Sequence, residues 1–160
     1  MKFKQLALSA ALAVSVCAPA HAQTEIQWWH SMSAALGDWV NDLAKQYNES
    51  QTQYKIVPTY KGQYDESMTA AIAAFRSGNA PHMLQVLEVG TATMMASKGA
   101  IVPVAKVLSD GGFKFTPGDY VPAVAGYYTA PNGQMLSYPF NSSTTIFYYN
   151  KDAFKKAGLD

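Results

Sequence analysis

The sequence predicts an α/β protein in which a mainly parallel sheet is flanked by helices. Three observations lead there. Short β-rich runs recur at Glu25 to Trp29, Tyr54 to Tyr60 and Met83 to Leu87. Segments with helical periodicity fill the two intervals between them. Each interval exceeds the dozen or so residues that a crossover between parallel strands requires, so strand-helix-strand units join the runs rather than hairpins. Such crossovers are right-handed.

Taken in order, Glu25 to Trp29 ends in two aromatics, as a buried strand does. After a polar joint at His30 to Ser33, apolar residues at Leu36, Trp39, Val40, Leu43, Ala44 and Tyr47 mark one face of a helix. Tyr54 to Tyr60 is a second strand, and Pro58 within it indicates an edge or a bulge. Met68, Ile72 and Phe75 define a second amphipathic helix, closed by Ser77-Gly78-Asn79 and Pro81. Met83 to Leu87 is the third strand, and Gly90 to Lys98 opens a short third helix. Beyond Ile101 the pattern loosens through Gly111-Gly112 and Pro117-Gly118. Two strand-like segments, Gly126 to Thr129 and Met135 to Pro139, then bracket the turn signal Pro131-Asn132-Gly133. Thr145 to Asn150 is a further β-rich run, and Lys151 to Ala157 begins a helix that Gly158 stops.

Composition narrows the class. Hydrophobic residues make up 49% of the 160 residues and charged residues 14%, against a usual charged share of about 25%. The chain is therefore globular rather than disordered. A net charge of +1 with scattered lysines gives no footprint for nucleic acid, so no nucleic-acid partner is expected. Lys2 and Lys4, the apolar run Leu6 to Val16, and Ala20-His21-Ala22 form the three parts of a cleavable export signal over residues 1–22. The run is too short to span a bilayer, and no transmembrane segment is expected after cleavage. Val16 stands where attachment of a lipid at Cys17 calls for a small residue, so cleavage is placed after Ala22. Loss of residues 1–22 removes the only cysteine and two lysines, leaving ten basic against eleven acidic residues and a net charge of −1. An exported domain without disulfides must rely on its core alone. A bacterial periplasm is the compartment that fits.

Motifs bear on function chiefly through what is missing. The chain carries no G-x-S-x-G, H-E-x-x-H, phosphate-binding lysine loop or G-x-G-x-x-G. His30 and His82 lack a second ligand at metal spacing, so neither a metal nor a cofactor is expected. Ligands of parallel sheets bind beyond the carboxyl ends of the strands, which directs attention to Trp29 to Ser31, Lys61 to Tyr64 and Glu88 to Thr91. Glu88 follows an apolar strand and precedes a glycine-led helix, where it either contacts a ligand or serves as a helix-terminus acid. Tyr64 follows the second strand, as a ligand contact or an aromatic cover on the core. Asn141 to Thr145 is a run of uncharged donors suited to an anion or a sugar, or a solvated loop. The pairs Trp28-Trp29 and Tyr127-Tyr128 fit a core better than a stacking platform.

The stretch from Tyr148 to Asp160, YYNKDAFKKAGLD, resembles the segment after the first interlobe crossing in extracellular solute-binding proteins of carbohydrate-type ABC importers. Trp29-His30-Ser31-Met32, the run Lys55 to Gly62, the run Glu88 to Lys98 and Pro139 to Thr144 resemble the glycerol-phosphate-binding branch of that family, and the likeness extends over nearly all of residues 23–160. Gln63 and the short Pro131-Asn132-Gly133 turn depart from the pattern. The resemblance implies a periplasmic-binding-protein-like fold of type II with two α/β lobes. On it, residues 23–143 are a first pass through the N-terminal lobe, and residues 144–160 are a crossing strand and the start of a second lobe otherwise almost entirely absent. It implies capture of sn-glycerol 3-phosphate, with glycerophosphodiesters as further candidates, for delivery to permease subunits in the inner membrane. It also implies that Tyr64, Glu88 and Ser143 contact the ligand. An ionised Glu88 suits the glycerol hydroxyls and repels the phosphate, whereas Tyr64 and Ser143 can donate to phosphate oxygens.

Two rival readings remain at this level. A sugar or oligosaccharide receptor of the same family would place stacking aromatics in the cleft. A secreted hydrolase using Glu88 would need a second carboxylate about 5 to 9.5 Å away, and no pattern nominates one.

Overall fold

A computed structural model describes residues 23–90, 93–94, 97, 99–114 and 116–159. The export signal expected at residues 1–22 lies outside the described residues. The chain divides into two compact units between Val86 and Leu87.

The first unit runs β1 (Thr24–His30), α1 (Ala34–Ser50), β2 (Tyr54–Tyr60), α2 (Tyr64–Arg76) and β3 (Met83–Leu84). Its sheet has the order β2-β1-β3 and is parallel throughout. Register pairs Thr24 with Tyr54 through to His30 with Tyr60, and Trp28 and Trp29 with Met83 and Leu84. This is the α/β architecture that alternating periodicity predicts. Val40 and Ala44 of α1, Ala71 of α2 and Met32 supply the buried apolar groups. α1 packs chiefly on β2, and its apolar face is incompletely covered, with Leu36 55% and Trp39 44% exposed.

The outer edge of β2 is closed by the chain itself. In a parallel ladder alternate residues turn their backbone groups to the neighbour. Gln53 and Lys61 bond across to β1, which leaves Tyr54, Ile56 and Pro58 facing outward. Gln51 meets Tyr54 on both sides, accepting from its N–H at 2.8 Å and donating to its carbonyl at 2.6 Å. Asn48 of α1 does the same for Ile56, at 2.7 and 2.8 Å. Pro58 has no N–H to satisfy. Two amide side chains and one proline thus blunt an edge that would otherwise recruit another strand.

β3 is shorter than the expected Met83 to Leu87. The cause is the length of its partner. The Gln85 N–H still reaches the Trp29 carbonyl at 2.9 Å, but β1 ends at His30 and gives Val86 and Leu87 nothing to pair with.

The second unit holds a 3₁₀ turn at Glu88–Gly90, α3 (Val104–Asp110), a second 3₁₀ turn at Pro117–Asp119, α4 (Pro122–Tyr127) and α5 (Lys151–Lys156). Of the expected helix from Gly90 to Lys98, residues 93–94 are helical and much of the rest lies outside the described residues. The expected strand Gly126 to Thr129 is corrected: Gly126 and Tyr127 end α4, which Pro122 starts from the first helical position. Thr129 forms a single antiparallel bridge with Met135, so Met135 to Pro139 is no strand either. The turn between them forms, with Gly133 at a φ of 82° and its N–H donating to the Ala130 carbonyl at 2.8 Å. Ala125, Tyr128 and Met135 form the buried centre of this unit. Thr145 to Asn150 is not a strand in this structure. Its β propensity finds no neighbouring strand among the described residues, and Phe147 and Tyr148 stand 82% and 85% exposed. α5 matches its expected start and stop: Asn150 Oδ1 accepts from the Ala153 N–H at 3.0 Å, and Gly158 takes a φ of 70°. Among the described residues no helix is long and apolar enough to cross a membrane.

Candidate functional site

The order β2-β1-β3 means that the chain leaves β1 toward one side and later returns to its other side. The carboxyl ends of β1 and β3 therefore flank the switch point, where sheets of this kind bind ligands. His30 ends β1, Ser31 and Met32 follow it, Gln85 follows β3, and all four are buried.

His30 Nδ1 lies 3.3 Å from the Met32 N–H, which donates to it, and its carbonyl accepts from the Lys61 N–H at 2.9 Å. Its ring lies against those of Trp28 and Tyr60, with centroids 6.0 and 6.1 Å away. Burial holds the imidazole below its ordinary value. The turn then enters α1 through Ala34, whose φ of 49° is unusual for a residue with a Cβ. Gly37 is required beneath it, since a Cβ there would stand 2.9 Å from the Met32 carbonyl oxygen. A concavity of about 550 Å³ opens beside this turn, with Asp38 and Asn41 of α1 and Thr59 and Tyr60 of β2 in its wall.

Tyr64 is the first residue of α2 and is half-buried. Its position is fixed by a capping box: the Gln63 N–H donates to Glu66 Oε2 at 2.7 Å while the Gln63 side chain serves the third helical residue. Gly62 leads in at a φ of 84°, and a Cβ there would run into the Glu66 carboxylate. Beside it Lys61 Nζ sits 4.1 Å over the Trp29 ring, a cation on an aromatic face at the strand ends. Tyr64 thus shares the strand-end face of the first unit with the residues after β1 and β3.

Glu88 and Ser143 belong to the second unit. Glu88 opens the 3₁₀ turn and is half-buried. The ion pairs among the described residues are Lys45–Glu49, Lys55–Glu25 and Lys106–Asp110, and Glu88 takes part in none. Ser143 lies exposed in the irregular run that precedes α5. Its neighbours Asn141 and Ser142 line a concavity of about 280 Å³ together with Asp119, Tyr120 and Phe140. Burial raises the Tyr120 hydroxyl above its ordinary value, with Tyr138 and Asp119 adding to the shift. No cluster of His, Cys, Asp and Glu able to hold a metal occurs among the described residues.

Sequence reasoning pointed to Ser31 as a strand-end position but missed Gln85 and the contact between them. The Ser31 N–H donates to Gln85 Oε1 at 3.1 Å, a buried contact between segments 54 residues apart. A signal was present: Gln85 is the one polar residue in the apolar run Met83 to Leu87.

Comparison with known proteins places this geometry in a family. Residues 33–160 match the family described as bacterial extracellular solute-binding protein. The chain is 56% identical over 154 residues to the sn-glycerol-3-phosphate-binding periplasmic protein UgpB of Brucella suis biovar 1 (strain 1330), covering 96% of this chain and 36% of that protein. It is 56% identical over 161 residues to the protein of the same name from Salmonella paratyphi A (strain ATCC 9150 / SARB42), covering 100% of this chain and 36% of that one. The chain thus spans about a third of the length of these relatives. Among solved structures, one described as CpMnBP1 with mannotriose bound superposes with a TM-score of 0.61 at 22% identity, over 86% of this chain and 34% of that one. The likeness to that structure concerns the fold. The match over residues 33–160, on a parallel α/β sheet with a structured switch point, establishes that the chain belongs to the bacterial extracellular solute-binding protein family.

Proposed function

We propose that this chain is the N-terminal part of a periplasmic solute-binding protein that captures sn-glycerol 3-phosphate for an ABC importer and hands it to the permease subunits in the inner membrane. The observation that carries this reading is the high identity, along almost the whole chain, to proteins named for that ligand and compartment. On this reading residues 1–22 direct export, residues 23–143 form a first pass through one lobe, and residues 144–160 cross toward a second.

Tyr64, Glu88 and Ser143 are the proposed contacts. A glycerol phosphate presents hydroxyls that need an acceptor and phosphate oxygens that need donors. Glu88 supplies the acceptor at the glycerol end, kept away from the phosphate by like charge. Tyr64 and Ser143 supply hydroxyl donors for the phosphate. Binding of this kind makes and breaks no bond, and release to the permease requires that none be made. Lys61, at the strand ends, is a further source of positive charge on the same face as Tyr64.

A second reading has one observation in its favour, the mannotriose held by the solved neighbour. It replaces the phosphate by sugar hydroxyls and asks aromatics to stack. Calorimetric titration of the full-length protein with sn-glycerol 3-phosphate, glycerophosphocholine and maltose separates the two. Saturable heat with the glycerol phosphate and none with the sugar is expected, and the reverse pattern overturns the proposal. A turnover assay on glycerophosphodiesters run beside it is expected to release no product.

A further inference from the structure

Gln85 bonds to both sides of the His30 position. Its backbone N–H donates to the Trp29 carbonyl at 2.9 Å, and its Oε1 accepts from the Ser31 N–H at 3.1 Å. One residue at the end of β3 therefore grips the last peptide of β1 and the first peptide of the turn that follows. The orientation of its amide is forced, because a backbone N–H can only donate and so the oxygen must face Ser31. That leaves Nε2 turned elsewhere, and it is buried with no hydrogen-bond partner among the described residues, as is the Ser31 hydroxyl. A buried donor left unsatisfied is costly. An apolar residue here, like its neighbours in the run Met83 to Leu87, would leave the buried Ser31 N–H without its side-chain acceptor.

We infer that Gln85 is a positioning residue for ligand binding: it holds the turn Ser31-Met32 at the switch point in the form that presents the strand-end face to the ligand. This rests on the proposed binding role. Without the side-chain bond the turn gains alternatives, and apparent affinity falls in proportion to the fraction of molecules that keep the competent form. A neutral hydrogen bond sets the scale of that loss at about 2- to 12-fold.

The test uses the full-length protein, its Gln85→Met and Gln85→Glu variants, and titration with both sn-glycerol 3-phosphate and mannotriose. Methionine keeps the volume and loses the acceptor. Glutamate keeps an acceptor oxygen for Ser31, and burial raises its carboxyl above the ordinary carboxylate range, so that mild acid makes it neutral. Each variant is compared with wild type at the same pH. At pH 5 Gln85→Glu is expected to bind within about 2-fold of wild type and Gln85→Met to bind several-fold more weakly. If Gln85 only packs, the order reverses, since apolar methionine suits a buried site better than a carboxyl group. Equal affinity of Gln85→Met and wild type also overturns the inference. Whichever ligand binds wild type serves as the probe. Binding of mannotriose alone thus removes the glycerol phosphate reading while still judging Gln85, and binding of neither by wild type removes both.

Discussion

At the scale of single residues, two side chains lend themselves to opposite kinds of test. Glu88 makes no ion pair with any described residue, so its carboxylate is dispensable to those contacts and its proposed role lies with the ligand. In the full-length protein Glu88→Gln is expected to weaken binding of sn-glycerol 3-phosphate about 10- to 150-fold, the equivalent of a charge-assisted hydrogen bond of about 1.5 to 3 kcal/mol. The melting temperature without ligand should stay nearly constant. A helix-terminus role predicts the converse, a stability loss of about 0.3 to 1 kcal/mol with binding intact, and that result would remove Glu88 from the site. His30 is instead a stability residue with a pH signature. Burial lowers its folded-state pKa, so the unfolded chain takes up protons first as pH falls through the ordinary imidazole value of about 6.5. The sign follows: stability is full above that value and declines below it. His30→Asn places an amide oxygen where Nδ1 accepts from Met32, and is expected to flatten the fall in urea midpoint between pH 7 and pH 5. An unchanged slope would show that other groups carry it.

At the scale of elements, β2 illustrates both what the sequence discloses and what it hides. Its limits at Tyr54 and Tyr60 are legible because β-rich residues stand between helical segments, and Pro58 announces an edge. The partners of that edge are not legible. Asn48 and Gln51 look like ordinary polar residues at a helix end, and only the register of the sheet brings their amides onto Ile56 and Tyr54. Asn48→Ala is expected to cost about 1 to 2 kcal/mol in chemical denaturation, because two part-buried backbone groups of Ile56 lose their partner at once. A loss below about 0.3 kcal/mol would mean that water replaces the amide without penalty. The errors share one cause. Met83 to Leu87, Gly126 to Thr129 and Thr145 to Asn150 have strand composition, but a strand also needs a neighbour. β1 ends too soon for the first, a proline-led helix claims part of the second, and the third meets no strand among the described residues. The strand-end positions of Ser31 and Tyr64 were legible because each follows a strand, whereas the meeting of Ser31 with Gln85 was not, since it spans 54 residues.

At the scale of the whole molecule, the decisive fact is that the chain spans 36% of the length of its relatives. The exported protein is expected to begin at Gln23, which intact mass of periplasmic material checks directly; retention of Cys17 would refute it. The larger consequence concerns binding. A ligand held between two lobes is desolvated from both sides, and a single lobe offers it half of its partners while leaving the phosphate in contact with water. The described residues also carry apolar surface that no described segment covers, including Val89 at 66%, Phe113 at 69%, Val121 at 65%, and Phe147 and Tyr148 above 80% exposure. Isolated apolar residues at a surface are ordinary, but Ile146, Phe147 and Tyr148 are consecutive, and such runs promote association. Residues 23–160 expressed alone are therefore expected to bind sn-glycerol 3-phosphate at least about 100-fold more weakly than the full-length protein, because losing two or more charge-assisted hydrogen bonds suffices for that factor. They are also expected to sediment as concentration-dependent oligomers. Replacing Phe147 and Tyr148 together by serine should suppress the association without restoring affinity, because it removes adhesive surface and adds no ligand partner. Comparable affinities for the segment and the full-length protein would overturn the argument, and would mean that the strand-end face of one lobe holds the ligand by itself.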